Sequence, residues 1–190
     1  MRHLRAREWN SYPGICLALC SLALLTAAGC TVASPRGAPA PPSAQVLPTD
    51  SRTLAYGGTT AEVLQNPEMV DKIHALFGPD WMPATSAGGQ LTPGAAAYFD
   101  QGGPVRKVRI GGTDYIAVTG CFPGACDSRR VLLLIEESGS RLLARLDEGG
   151  FAHYYGYGSE TALRDTAPTI VDSGFRALYL SGDPYLRARS

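Results

Sequence analysis

Cysteines carry the most distinctive chemistry in this sequence, and they fall into an early group and a later pair. The 190 residues include five of them, at Cys16, Cys20, Cys30, Cys121 and Cys126. A thiol can be acylated, bind a metal, act as a redox nucleophile or form a disulfide. The compartment decides among these reactions, because structural disulfides persist in oxidising surroundings and are rare in the cytosol.

The first 29 residues have the pattern of a secretory signal. Three arginines within residues 2–7 precede an uncharged, largely apolar run at 14–28, which is too short for a stable membrane span. Small residues stand directly before Cys30, in an order that resembles a lipobox. We therefore predict that residues 1–29 are a lipoprotein signal peptide and that Cys30 is lipidated, a modification that includes palmitate. The alternatives are an ordinary signal peptidase site, with Cys30 incidental, and an uncleaved anchor.

Residues 30–50 are predicted to be the lipidated cysteine and a tether. Five prolines and no apolar periodicity give this segment the composition of a semi-extended spacer. In the lipoproteins of bacteria with two membranes, which this leader resembles, an aspartate after the lipidated cysteine signals retention at the inner membrane. This chain has Thr31 at that position. We therefore expect a lipoprotein of the outer membrane, held by its lipid anchor and facing the periplasm or the cell surface.

The later cysteine pair follows from the export prediction. Cys16 and Cys20 leave with the signal peptide and Cys30 is acylated, so Cys121 and Cys126 are the remaining thiols. In an oxidising compartment, a disulfide between them is the default. Four residues separate the two cysteines, which does not fit the Cys-x-x-Cys spacing of redox enzymes.

The remaining composition argues against several classes of function. Seventeen Lys and Arg residues balance seventeen Asp and Glu residues, and no basic run occurs outside the leader, so nucleic acid is not an expected partner. Only His74 and His153 lie beyond the leader, so no metal site is predicted. Adjacent carboxylates such as Asp147 and Glu148, beside turns, are interpreted as solvated strand ends. We expect no catalytic residues, no cofactor and no enzyme activity.

Residues 51–190 are expected to form one domain. Apolar residues at helical spacing predict a helix over 66–77, with Asn66 as its N-cap and a Gly-Pro pair as its stop. Thr59 or Thr60 is expected to cap a shorter helix before it.

From residue 105 onward, the pattern changes to strands joined by short glycine-containing turns. The aromatic residues of 151–157 are interpreted as core and sheet face, and a short helix is predicted at 159–163. Consecutive hairpins predict the α+β class, with a central antiparallel sheet and helices packed against it. The predicted strands are 105–110, 114–120, 129–136, 141–146, 151–157 and 175–180.

The disulfide pair is predicted to close the loop of a hairpin that projects from one end of the sheet. A ring of six residues is expected to stabilise the chain by about 2 kcal/mol. Pro123 fixes one backbone torsion and Gly124 permits a positive φ, so the tip is expected to be narrow and stiff. A stiff projection enters a cleft at low entropic cost. The alternative is a disulfide that only staples a turn.

The segment Tyr-Ile-Ala-Val-Thr-Gly-Cys-Phe-Pro-Gly-Ala-Cys-Asp-Ser-Arg-Arg-Val at 115–131 resembles the core of the Ivy family, the inhibitors of vertebrate lysozyme. The segments Pro-Asp-Trp-Met at 79–82 and Leu-Thr-Pro at 91–93 are similar to that family as well. The likeness extends over residues 59–183, which is nearly the whole predicted domain.

This resemblance implies both a fold and a partner. Members of the family have a central antiparallel sheet with helices against it, are exported, and often assemble as homodimers. They block C-type lysozymes by inserting the disulfide loop into the active-site cleft. The expected partner is therefore a lysozyme-type glycoside hydrolase, either of a host or of the cell itself.

The loop departs from the family pattern Cys-Lys-Pro-His-Asp-Cys at every polar position. Cys121, Pro123 and Cys126 match, whereas Phe122, Gly124 and Ala125 stand where the family has lysine, histidine and aspartate. We expect weakened or redirected inhibition, because charge-assisted hydrogen bonds contribute about 1.5–3 kcal/mol each. The expected contact residues are the six of the ring, with Phe122 as an exposed aromatic anchor, and Asp127 and Arg129 just beyond it. The alternatives are a non-inhibitory envelope binding or scaffolding lipoprotein and, more distantly, an uncharacterised hydrolase.

Overall fold

The computed structural model describes residues 40–85, 89, 91–158 and 163–187. The predicted signal peptide and Cys30 lie outside the described residues. In the described ranges, no helix combines the length and the apolarity that crossing a bilayer requires.

A central antiparallel sheet organises the domain, as the hairpin signals predicted. The described strands are β1 (Ala44–Leu47), β2 (Ala84–Thr85), β3 (Leu91–Thr92), β4 (Gln101–Gly102), β5 (Arg106–Ile110), β6 (Thr113–Cys121), β7 (Arg130–Glu136), β8 (Leu142–Glu148) and β9 (Phe151–Tyr157). Neighbouring strands of the sheet follow the order β1-β5-β6-β7-β8-β9, with β4 paired to the end of β6, and β2 and β3 form a separate ribbon. The predicted α+β class and central antiparallel sheet are thus confirmed.

The hairpins form where glycine-containing turns separate the predicted strands. Between β5 and β6, Gly111 and Gly112 adopt φ angles of 56° and 87°, which suit the two central positions of a tight hairpin turn. This register aligns Ile110 with Thr113 and carries β6 as far as Cys121. Strand β7 then runs back along β6, so the loop between them lies at one end of the sheet.

Two short helices cover one face of the sheet, α1 (Thr60–Gln65) and α2 (Val70–Phe77). The hydroxyl of Thr59 accepts a hydrogen bond from the Glu62 amide and so caps α1, as predicted. Helix α2 begins at Val70, later than predicted, because the residues after Asn66 first form a turn. In this turn the Asn66 side chain accepts a hydrogen bond from the Glu68 amide, and its carbonyl accepts from the amides of Met69 and Val70. Gly78 ends the helix with a φ of 56°.

The prediction of a last strand at 175–180 is wrong, because this segment belongs to α3 (Leu163–Ser181). Val171, Phe175 and Leu178 are buried at helical spacing against the second face of the sheet. The aromatic and aliphatic residues of 175–180 are compatible with a strand, but in the fold this segment is part of the helix that covers the second face of the sheet. Residues 159–162 of the predicted short helix lie outside the described residues, and Leu163 begins α3.

Strand β1 lies within the segment predicted as a tether, so the expectation of a spacer throughout 30–50 is wrong. Ala44 pairs with Ile110 and Leu47 with Lys107, which adds β1 to the sheet edge beside β5. Ala44 and Val46 pack against the core that α3 covers. Four residues between prolines were enough to form a strand because a neighbouring strand was available.

The sheet therefore has a hydrophobic core on each face. The first core lies under α1, α2 and two 3₁₀ helices, Gly78–Trp81 and Ala95–Phe99. The second lies between the sheet and α3. The central strands are consequently buried on both sides and hold the loops at their ends in fixed positions.

Candidate functional site: the disulfide loop and the cleft beside it

Cys121 and Cys126 form the predicted disulfide, with their Cα atoms 4.9 Å apart. Cys121 is the last residue of β6, is 1% exposed, and pairs with Gln101 on one side and Arg130 on the other. One end of the ring is therefore fixed in the sheet between two neighbouring strands. The disulfide ties the other end to this fixed point.

The first half of the loop is a tight turn. The Ala125 amide donates a hydrogen bond of 3.0 Å to the Phe122 carbonyl, with Pro123 and Gly124 at the two central positions. Gly124 has a φ of 79°, the value that a type II turn requires at its third residue. Pro123 suits the second position because its ring fixes φ near −65°. The two residue types predicted to stiffen the tip thus define the turn.

The second half of the loop is a single helical turn that returns the chain to β7. The Ala125 carbonyl accepts hydrogen bonds from the amides of Ser128 and Arg129, at 3.1 and 2.8 Å. The Phe122 amide donates to the Arg129 carbonyl at 3.0 Å and closes the base of the loop. Backbone bonds and the disulfide together hold the loop in one conformation.

The tip of the loop is exposed and carries no proton donor or acceptor on a side chain within the ring. Pro123 and Gly124 are exposed, and Ala125 and Cys126 are partly buried. A Cβ atom added at Gly124 would have no heavy atom within 4 Å, so a side chain there would project into open space. The ring can therefore act on a partner by its shape and its backbone groups, not by acid–base chemistry.

Phe122 is not the exposed aromatic anchor that was expected. Its ring is partly buried against the first core and lies 5.8 Å from the Tyr98 ring in an edge-on arrangement. The guanidinium of Arg129 covers the other side, 5.3 Å from the ring centroid. Arg129 also lies 3.8 Å from Glu148. Phe122 and Arg129 thus brace the loop from inside rather than offering free contact groups.

Tyr98 supports the loop from below. Residue 120 of β6 must be glycine here, because a Cβ atom at Gly120 would lie 2.5 Å from the Tyr98 carbonyl oxygen. This close approach places the Tyr98 ring, which is 0% exposed, under Phe122. Burial and the neighbouring Glu148 carboxylate raise the pKa of Tyr98 to about 12. Its phenol therefore stays neutral and serves as part of the core.

A cleft of about 250 Å³ opens beside the loop, and sequence reasoning missed it. The loop contributes Asp127 and Ser128, β7 contributes Arg130, β8 contributes Asp147, and the start of β9 contributes Phe151. These residues are far apart in sequence, and the antiparallel sheet brings them to the same end. The sequence feature that could have indicated this cleft is Phe151, an aromatic residue directly after the Gly149-Gly150 pair.

Asp147 is buried in the wall of this cleft, so its interpretation as a solvated strand end is wrong. It is 5% exposed and accepts hydrogen bonds from Arg130 at 2.9 Å and from Arg145 at 2.7 Å. Arg145 also donates to Asp172 at 2.8 Å. Both guanidiniums lie over the ring of Phe175, with Arg145 at 4.2 Å from its centroid. The wall is therefore a neutralised ionic network that holds α3 to the sheet.

Phe151 lies in β9, as predicted, but it is not part of the core, because it is 74% exposed. In the described parts of the chain, no three His, Cys, Asp or Glu side chains converge as metal ligands would. Comparison with models of known protein families, with curated proteins and with solved structures finds no match to this chain.

Proposed function

We propose that this chain is an exported lipoprotein that binds a lysozyme-type glycoside hydrolase by placing its disulfide loop in the active-site cleft of the enzyme. The observation that carries the proposal is the exposed Pro123-Gly124 tip on a loop fixed by a disulfide and by four backbone hydrogen bonds. A loop that is already ordered loses little conformational entropy on binding, which is how stiff inhibitory loops gain affinity.

The resemblance to the Ivy family supports this proposal at Cys121, Pro123 and Cys126 and in the order of strand, loop and strand. Gly124 removes the side chain that would reach the catalytic carboxylates of the enzyme. A charge-assisted hydrogen bond contributes about 1.5–3 kcal/mol, so the loss of each one lowers the affinity roughly 10- to 100-fold. The proposed binding is therefore weaker than that of a histidine-bearing loop and depends on contacts outside the ring.

A second function is binding without inhibition, as an envelope binding or scaffolding lipoprotein. The inward packing of Phe122 favours it, because that side chain supports the domain and is not offered to a partner. The two functions differ in whether the loop reaches the catalytic groups of the enzyme.

Binding and inhibition are tested together on the full-length protein in mild detergent with a purified C-type lysozyme. We expect saturable binding by calorimetry and a parallel decrease in hydrolysis of cell-wall substrate. A variant with Cys121→Ser and Cys126→Ser, checked for retained fold by circular dichroism, is expected to bind more weakly. Binding without loss of hydrolysis would favour the second function. Neither effect at high micromolar concentration would refute the first.

A further inference from the structure

Phe151 is the most exposed of the large apolar side chains described, at 74%. It follows Gly149 and Gly150, whose positive φ angles of 57° and 91° turn the chain sharply between β8 and β9. A single exposed apolar residue is ordinary on a protein surface. This one lines the same cleft as Asp127 and Ser128 of the disulfide loop, so its position has a consequence for binding.

The charges around the cleft leave one carboxylate without a cation. Arg130 and Arg145 are both engaged by Asp147, and Arg145 also by Asp172. Asp127 is exposed and accepts a hydrogen bond from the Ser128 hydroxyl at 3.1 Å. Within the described ranges it makes no ion pair.

A free carboxylate and an exposed aromatic face on one cleft form a receptor for a guanidinium group. The planar guanidinium of arginine pairs with a carboxylate through two parallel hydrogen bonds and stacks on aromatic rings, which lysine does less well. The neutralised arginines of the wall reduce the repulsion that a further cation would meet. A volume of about 250 Å³ accommodates the end of one long side chain.

The position of the cleft identifies the molecule that would supply the arginine. Asp127 is the next residue after Cys126, and neighbouring Cα atoms are about 3.8 Å apart. A folded protein that contacts the ring at Cys126 therefore lies within reach of Asp127 at the edge of the cleft.

We propose that the cleft between Asp127 and Phe151 receives an arginine side chain of the protein that the disulfide loop binds. This inference rests on the proposed function and adds to it a second contact, outside the ring, that recognises a basic surface. It assigns to Phe151 the anchoring role that Phe122 does not fill.

Calorimetry with the full-length protein and a C-type lysozyme tests the inference. We expect Phe151→Ala and Asp127→Asn each to weaken binding about tenfold, from loss of a desolvated cation–π contact and of charge-assisted hydrogen bonds, respectively. Leu180→Ala is the matched control for Phe151, because Leu180 is 65% exposed on α3. Asp71→Asn is the control for Asp127, because Asp71 is an exposed acid on α2. Neither control is expected to change the affinity.

Chemical modification of the arginines of the enzyme provides an independent arm. Lysozyme treated with phenylglyoxal is expected to bind the wild-type protein as weakly as untreated lysozyme binds a variant that carries both Phe151→Ala and Asp127→Asn. Equal affinities of the wild type and Phe151→Ala for untreated lysozyme would overturn the cleft contact and leave the loop contact standing. No binding of lysozyme by the wild type would overturn both this inference and the proposed function.

Discussion

The Nζ atom of Lys107 lies 2.8 Å from Oδ2 of Asp50, an ion pair that joins β5 to the segment after β1. Glu137 and Asp114 complete the surroundings of this ammonium group, at 2.8 and 3.1 Å. Asp50 also accepts a hydrogen bond from the Thr53 amide and so orders the turn that follows. The cluster connects the first strand to two hairpins of the sheet.

This cluster predicts that the domain loses stability in acid. Hydrogen bonding to Lys107 holds the pKa of Asp50 well below its usual range, and Arg109, with Lys107, lowers that of Asp114 to about 2. Carboxylates with lowered pKa values stabilise the fold above their unfolded-state pKa near 4, and this stabilisation is lost as the pH falls toward 2. We expect the urea midpoint to decrease between pH 4 and pH 2.

The lysine provides the control for this pH dependence. Lys107→Met is expected to reduce the dependence on pH, because it removes the shared cation. Lys72→Met is the control and is expected to retain the wild-type dependence of stability on pH, because Lys72 donates to the Gly139 carbonyl and not to these carboxylates. Equal pH profiles for Lys107→Met and the wild type would contradict the role given to the cluster.

Gly124→His is predicted to increase inhibition of a C-type lysozyme by roughly 10- to 100-fold, through one or more charge-assisted hydrogen bonds. A side chain at position 124 has open space around it. The backbone φ of 79° at this position, however, is unfavourable for histidine and is expected to make the variant less stable by about 1–2 kcal/mol. Gly124→Ala carries the same backbone cost without the imidazole. Inhibition assays on both variants, with urea unfolding, separate the two effects. Equal inhibition by the two variants would count against insertion of the tip among the catalytic groups.

Phe122→Ala is predicted to lower the free energy of unfolding by about 2 kcal/mol, less than for a fully buried phenylalanine. The ring packs on Tyr98 and under Arg129, so its loss leaves a gap beneath the loop. Phe122→Leu is the milder comparison, because it keeps most of the apolar volume. Urea unfolding measures both. An unchanged stability together with weakened binding would return Phe122 to the role of a partner contact.

Cys30→Ala is predicted to abolish acylation and to release the protein from the membrane fraction. The side-chain thiol is the group through which the predicted lipid attaches and the group that alanine lacks, and one or two chains supply the membrane affinity. Fractionation with mass spectrometry, and labelling with a palmitate analogue, measure the change. Cys20→Ala, within the predicted signal peptide, is the control that should still be acylated.

The sequence alone determined the features that depend on neighbours along the chain. Strand-like runs on both sides of Gly-Gly and Ser-Gly turns predicted the hairpins of β5 to β8, and helical spacing with a glycine stop predicted α2. Counting the cysteines that remain after export predicted the disulfide between Cys121 and Cys126. Pro123 and Gly124 predicted a stiff tip because their torsion preferences are properties of single residues.

The tertiary structure alone decided what depends on contacts between distant segments. The four residues from Ala44 form a strand because they hydrogen-bond to β5. Residues 175–180 are helical because they belong to α3, which buries its apolar side against the second face of the sheet. Phe122 turned inward because Tyr98 lay beneath it, and Asp147 was buried because two arginines and α3 enclosed it. Periodicity shows which side of an element is apolar but not which element will cover it, so burial and the cleft at Phe151 appear only when the chain is folded.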